Sequence, residues 1–397
     1  MTARRQLLQF LAASPLLAGA TPLTLMASIP GGTISAPEDA LDVFDFQRAA
    51  KEILPVAHYG YIATGTDGNE TLHANRSAFE RLYLRAMRMA DTSAIDTDLD
   101  LLGEKLSSPI VLAPAGSQRA FHDQGELAVA RAARSRDHLQ ILSNVATHSI
   151  EDVIEARGQP VWFQLYPTSN WNVASKMIRR AEKAGARVLV LTVDLNSDSN
   201  RLSLQRYIRE DSRDCSQCHD RSRKDAWLDR KPMYAGTGAT TDEFITPGMT
   251  WDYVEKLKEF TRMKVVIKGL VTAEDAESAV THGADGIVVS NHGGRAEASG
   301  WATIDSLPEV VAAVSGEIPI LVDSGFRRGT DTFKALALGA DAVCFGRAYL
   351  WGLAAFGQAG VERVLDILRA ELAMVMGQMG TASLADITPR YVGKHPA

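Results

Sequence analysis

The chain is short of basic charge, of cysteine and of long apolar runs. Its 42 lysines and arginines face 48 aspartates and glutamates, giving a net charge of −6 at neutral pH. Such a balance leaves no electrostatic footprint for nucleic acid. The apolar run near the N-terminus, residues 7–17, is interrupted by Gln9 and Pro15 and is too short to span a bilayer. No Gly-x-Gly-x-x-Gly follows the first strand-like segment, which counts against a doubly wound dinucleotide fold. Only three cysteines occur, so the spacing of any two carries information.

What is present is a 397-residue chain, 46% apolar, enough to bury one large core or two ordinary ones. Met1-Thr2-Ala3-Arg4-Arg5 is basic, residues 7–17 are mostly apolar, and Ala18-Gly19-Ala20 supplies small residues. Residues 1–20 thus have the pattern of an export signal, and the pair Arg4-Arg5 points to the twin-arginine route and a periplasmic protein. The other reading is an amphipathic N-terminus of a cytoplasmic protein. Residues 21–40, rich in Pro, Gly, Ser and Thr, form a linker, and the functional domain is expected over residues 41–397.

From residue 109 onward, short β-branched runs alternate with helical periodicity. The runs are Pro109-Ile110-Val111-Leu112, Gln140-Ile141-Leu142, Val161-Trp162-Phe163-Gln164, Val188-Leu189-Val190-Leu191-Thr192-Val193, Val265-Val266-Ile267, Ile287-Val288-Val289, Ile318-Pro319-Ile320-Leu321-Val322 and Ala342-Val343-Cys344-Phe345. Several intervening segments end at Gly-Ala pairs (Gly185-Ala186, Gly283-Ala284, Gly339-Ala340), where a glycine stops a helix before the next strand. Eight strands with helical crossovers indicate a parallel (β/α)₈ TIM barrel, with a doubly wound α/β sheet as the alternative. Residues 41–100 are expected to be helices packed at one end. Residues 195–249 form a charged, irregular insertion after the fourth strand, long enough to be functional.

The chemistry concentrates in Ser290-Asn291-His292-Gly293-Gly294-Arg295, directly after the sixth strand. An imidazole can take a proton near neutral pH, and a guanidinium three residues on can grip a carboxylate with two parallel hydrogen bonds. That pairing suits a small organic acid. The loops after strands seven and eight read Asp323-Ser324-Gly325-Phe326-Arg327-Arg328-Gly329 and Phe345-Gly346-Arg347. In barrels these loops often bind phosphate. Arg327 and Arg347 are preferred for that role, with Arg328 read as solvent-facing. A phosphorylated substrate and a mononucleotide cofactor fit these loops equally.

Taken together, these motifs resemble the FMN-dependent α-hydroxy acid oxidase and dehydrogenase family, which includes glycolate oxidase, lactate monooxygenase and mandelate dehydrogenase. The likeness runs from about residue 44 to 387 and includes Tyr61-Ile62-Ala63-Thr64-Gly65, Phe163-Gln164-Leu165-Tyr166, Leu191-Thr192-Val193-Asp194 and Ile267-Lys268-Gly269. It implies oxidation of an (S)-2-hydroxy acid of lactate, glycolate or mandelate type to the 2-oxo acid. His292 would be the base and Asp194 its hydrogen-bonded partner, favouring the charged imidazole. Arg295 and Tyr61 would hold the carboxylate, and Tyr166 the hydroxyl. Lys268 would lie by the flavin N1 and O2, with Ser143, Gln164 and Thr192 on the flavin edge. Asp323, Gly325, Arg327, Gly346 and Arg347 would serve the ribityl phosphate end. The resemblance also implies a homotetramer and an electron acceptor that is oxygen, a quinone or a cytochrome. A flavin-dependent isomerase on the same scaffold is the alternative, against which the intact set His292, Arg295 and Tyr61 argues.

The chain also departs from its relatives. Ala296-Glu297-Ala298 replaces the usual Gln-Leu-Asp, Ser324 replaces a common glycine, and Val145 stands where glycolate oxidase has a tryptophan. Gly116 replaces an alanine typical of the oxidases, which favours a dehydrogenase. Within the insertion, Cys215-Ser216-Gln217-Cys218-His219 fits the c-type haem attachment pattern. Haem c, a metal such as zinc, a disulfide or a structural loop are the readings of Cys215, Cys218 and His219. With haem, a flavin/haem electron-transfer protein becomes a further alternative.

Overall fold

Eight parallel strands close into a barrel in the computed structural model, which describes residues 33–213 and 222–395. They are β1 (Ile110–Leu112), β2 (Leu139–Ser143), β3 (Trp162–Leu165), β4 (Val188–Thr192), β5 (Lys264–Leu270), β6 (Gly286–Val289), β7 (Ile320–Val322) and β8 (Ala342–Phe345). Each pairs with its neighbours in sequence, and β8 pairs with β1, so the sheet has no edge. Closure distinguishes this TIM barrel from a doubly wound sheet, and each strand falls on an apolar run expected from the sequence.

Period-two alternation sorts the strand side chains. Val188 and Val190 of β4 join the cluster inside the barrel, while Leu189 and Leu191 pack outward under the helices. Val266, Val288 and Leu321 point inward in the same way, and Val265, Ile287 and Ile320 outward. With both faces covered, the strands can be apolar throughout.

The helices are α1 (Val43–Ile53), α2 (Val56–Ala63), α3 (Glu70–Ser77), α4 (Gly125–Arg136), α5 (Ile150–Arg157), α6 (Trp171–Ala184), α7 (Leu202–Glu210), α8 (Asp252–Phe260), α9 (Ala273–Thr281), α10 (Thr303–Val314), α11 (Gly329–Ala337) and α12 (Arg347–Met379). Sequence explains α6 well. The Asn170 side chain caps its start by accepting from the Asn172 amide, Val173, Ala174, Met177, Ile178 and Ala181 form its buried stripe, and Gly185 ends it. α12 is broken at Phe356 and Gly357.

Helices α1 to α3 lie ahead of the barrel as expected, but residues 78–106 also contain short strands that the sequence reading missed. Leu82–Leu84 pairs with Val392–Lys394, and Leu99–Leu101 pairs with Glu104–Leu106 in a hairpin. Leu101 and Leu106 of that hairpin join the inner barrel cluster, and the Trp162 indole N–H donates to Glu104 at 3.1 Å. The hairpin therefore plugs the N-terminal mouth and leaves the C-terminal mouth for ligands.

Among its described residues, the insertion after β4 holds α7 and three short 3-10 turns. Lys231 pins it across the barrel mouth by donating to Ser117 Oγ and to the Val145 carbonyl at 2.8 Å. Burial pulls the Lys231 amine down to about 8. The Cys215, Cys218 and His219 motif and residues 1–32, which include the proposed leader, lie outside the described residues. Among the described residues, no group of three His, Cys, Asp or Glu side chains is placed to hold a metal ion, and no helix is long and apolar enough to cross a membrane.

Candidate active site

Following each inward apolar side chain to the next inward position, toward the C-terminal mouth, gives Ser143, Gln164, Thr192, Lys268, Ser290 and Asp323. These polar residues form the floor of the site. Ser143 donates to Gln164 at 2.6 Å, and Gln164 donates to Thr192 at 2.9 Å. Thr192 is in register with Lys268 on β5, which continues the row. The Lys268 ammonium donates to Ser290 at 2.7 Å and lies 3.2 Å from Asp323 and 3.9 Å from Asp194. Burial opposes its charge, but the two carboxylates outweigh burial and raise its pKa.

His292 sits on the turn after β6 with φ +58°, in the left-handed region that a histidine seldom enters. The turn presents the ring toward two partners. Nδ1 lies 2.8 Å from Asp194 Oδ1, and Nε2 lies 3.0 Å from the Tyr166 hydroxyl. Asp194 can approach only because residue 269 is glycine: a Cβ there would lie 2.7 Å from Asp194 Cβ. Gly269 occupies a β-bulge at the end of β5.

Burial disfavours ionisation of Asp194, but His292 and Lys268 together hold its carboxyl below the usual range. For His292 the balance falls the other way. Burial, reinforced by the charges of Lys268 and Arg295, outweighs Asp194 and lowers the imidazole pKa. Asp194 lies at hydrogen-bond distance from the ring, but the net electrostatics lower the imidazole pKa, where the sequence reading expected it raised.

Arg295 donates to the backbone carbonyls of Tyr61 and Thr64, the latter at 3.2 Å, and its guanidinium carbon stacks 4.3 Å from the Tyr61 ring centroid. Its Nη2 is buried without a hydrogen-bond partner. A buried, unsatisfied charged donor is costly, so this atom marks where an anionic ligand belongs. The sequence reading missed Arg201. It comes from the insertion, donates to Ser199 at 2.8 Å and lines a cavity with Tyr61, Tyr166 and His292. Only the folding back of residues 195–201 over the barrel brings it there, and no local pattern announces it.

A cavity runs from His292, Tyr61 and Tyr166 past Lys268 to Gly325, Arg327, Gly346 and Arg347. Four cations (Lys268, Arg295, Arg327 and Arg347) line it against one carboxylate, Asp323. Burial and the nearby Arg76 depress Arg327, a cost that a bound anion offsets. A Cβ on Gly346 would have no neighbour closer than Ala113 at 4.0 Å, so this backbone at the start of α12 faces open space. These features fit a phosphate-bearing flavin.

Arg347 differs from expectation: it donates to the carbonyls of Ile62, Gly293 and Thr64 at 2.6, 2.8 and 3.0 Å, bracing the site walls. Arg328 pairs with Asp42 and Glu371, away from this cavity. Ser143, Gln164 and Thr192 lie in the floor row beside Lys268, outside the cavity lining. Cys344 is a buried barrel residue that also touches the cavity.

The FMN-dependent dehydrogenase family profile matches residues 50–394. The chain is 39% identical over 356 residues to a peroxisomal (S)-2-hydroxy-acid oxidase of Oryza sativa subsp. japonica, covering 89% of this chain and 95% of that one. It is 38% identical over 352 residues to an L-lactate oxidase of Lysinibacillus sphaericus (strain C3-41), covering 86% and 89%. A solved structure of mandelate oxidase with benzoyl-formic acid superposes with a TM-score of 0.79 at 37% identity, covering 90% of this chain and 98% of that one.

The relatives correct one expectation. The periplasmic location read from the N-terminus is overturned by plant relatives that are peroxisomal. A basic and apolar N-terminal run is a signal of composition, and composition alone does not fix a compartment. Fold, cavity chemistry and matched length agree: the chain belongs to the FMN-dependent dehydrogenase family and is an FMN oxidoreductase.

Proposed function

We propose that His292 is the base in oxidation of an (S)-2-hydroxy acid to its 2-oxo acid. The observation that carries this reading is the placement of His292 between Asp194 and Tyr166, with Arg295 and Arg201 nearby. In the proposed complex, Arg295, Tyr61 and Arg201 hold the substrate carboxylate. Tyr166 donates to the C2 oxygen, and Nε2 of His292 accepts a proton from the substrate. Asp194 fixes the tautomer and stabilises the imidazolium that forms. Lys268 places positive charge where electron density accumulates. Arg327, with the Gly325 and Gly346 backbone, takes the phosphate, while Ser143, Gln164, Thr192 and Asp323 order the floor.

Bound FMN supplies a two-electron acceptor, so loss of two electrons and two protons from the substrate leaves a C2 carbonyl. For reoxidation two observations pull apart. The oxidase relatives favour oxygen, and Gly116 in place of an oxidase alanine favours a quinone or cytochrome. Assembly as a homotetramer is part of the proposal and is tested by light scattering.

Anaerobic mixing with a panel of 2-hydroxy acids tests the reaction: at least one should bleach the flavin, and none doing so rejects it. Reoxidation rates with oxygen and with a quinone analogue then distinguish the acceptors.

A further inference from the structure

The cavity that fits the cofactor is joined by a second, and the two share Tyr61, Gly116, Tyr166 and His292. A substrate with C2 at His292 and its carboxylate at Arg295 must send its remaining substituent into this second space. Its lining is divided: Val145 from the loop after β2, Leu195 after β4, and Trp227, Phe244 and Ile245 from the insertion make an apolar wall, while Ser197, Asp198, Ser199 and Arg201 make a polar one. Trp227 and Phe244 meet edge-on with centroids 4.7 Å apart, and Tyr234 backs Phe244 at 5.1 Å. The Trp227 indole N–H donates to Thr241 at 2.9 Å, so its polar atom is satisfied within the insertion and its ring is held in place.

We infer that the substrate is a 2-hydroxy acid with a bulky apolar side chain, aryl or extended alkyl, rather than glycolate or lactate. This deepens the proposed function and rests on it. A hydrogen or methyl group would leave the aromatic wall untouched, whereas a phenyl ring or a chain of several methylenes would cover it. Each methylene buried in an apolar pocket raises discrimination about tenfold or more. The insertion is therefore a specificity element, and Lys231 holds it over the site.

The test is anaerobic flavin reduction in the holoenzyme with glycolate, lactate, mandelate and 2-hydroxyoctanoate. The second-order rate constant for mandelate or 2-hydroxyoctanoate should exceed that for lactate by at least about tenfold. Equal or faster reduction by lactate or glycolate overturns this inference and leaves the hydroxy acid reading standing. If no acid reduces the flavin, the hydroxy acid reading fails instead. The side-chain pocket is then read independently by calorimetry: tighter binding of phenylglyoxylate than of pyruvate supports it, and equal binding overturns it. Val145→Phe, which fills the cavity, and Trp227→Ala, which removes its wall, should each lower the mandelate-to-lactate ratio about tenfold. An unchanged ratio in both variants overturns the assignment.

Discussion

The imidazole of His292 is joined to Asp194 through Nδ1 at 2.8 Å, while the other carboxylate oxygen of Asp194 has no hydrogen-bond partner and lies 3.9 Å from Lys268. One carboxylate thus serves two cations, orienting the ring with one oxygen and facing the lysine with the other. Asp194→Asn should keep flavin bound and slow its reduction about 10²–10⁴-fold. It should also move the acidic limb of the rate profile. In the native site the imidazole pKa is already below its ordinary value, so reduction stays fast through neutral pH and declines only as acid protonates the ring. Asp194 raises that pKa, so its neutral replacement shifts the limb to still lower pH. Stopped-flow reduction across pH checks both, and a limb that moves upward contradicts the electrostatic account.

Gly116 and Val145 are packed so that a Cβ on the first would sit 2.5 Å from Cγ2 of the second. Gly116→Ala should cost about 1–3 kcal/mol of stability through overpacking. Trimming the neighbour in the Gly116→Ala, Val145→Ala double variant should recover most of it. Urea unfolding of the four proteins in the cycle gives the coupling, and strict additivity would show that the two residues do not compete for space.

Arg327 is the cation best placed for the phosphate, since Arg347 spends its donors on three carbonyls. Arg327→Met should weaken FMN binding about 10–100-fold, the range for losing hydrogen bonds to a charged group. Fluorescence titration of the apoprotein measures it. An unchanged affinity would place the phosphate elsewhere.

His138, fully buried near the start of β2, bonds through Nδ1 to the Ile110 carbonyl at 2.9 Å, and burial drops its pKa to about 4. Unfolded, the ring takes a proton near 6.5. As pH falls below 6.5 the unfolded chain binds a proton that the folded chain refuses, so stability declines by about 3 kcal/mol until the folded pKa is passed. His138→Gln should lose less stability than the native chain between pH 7 and 4.5. Equal losses in denaturant unfolding would remove His138 from the acid response.

The barrel was legible because its strands are buried on both faces and therefore written as continuous apolar runs. The floor of the site was legible for a related reason: Lys268, Ser290 and Asp323 each stand two residues beyond an inward apolar side chain, where a polar group has no packing role. Arg201 was not legible, since it lies in an irregular segment whose position is set by contacts such as Ala57 N to Asp211 at 3.1 Å, far apart in sequence. The hairpin of Leu99 to Leu106 was missed because three-residue strands give too few alternations to show a period. The net lowering of the His292 pKa depends on burial and on Lys268 and Arg295 in space, none of which a strand pattern encodes.

Ser324 accepts the Gly293 amide at 2.9 Å and donates to Asp323 at 2.7 Å. Its hydroxyl is thus a rivet between the loop proposed to receive phosphate and the loop that carries His292. Two events that would otherwise be independent should become reciprocal: filling the phosphate end should steady His292, and a steadied His292 loop should retain the cofactor longer. Natural variation around residues 293 and 324 should accordingly register as much in flavin retention as in turnover.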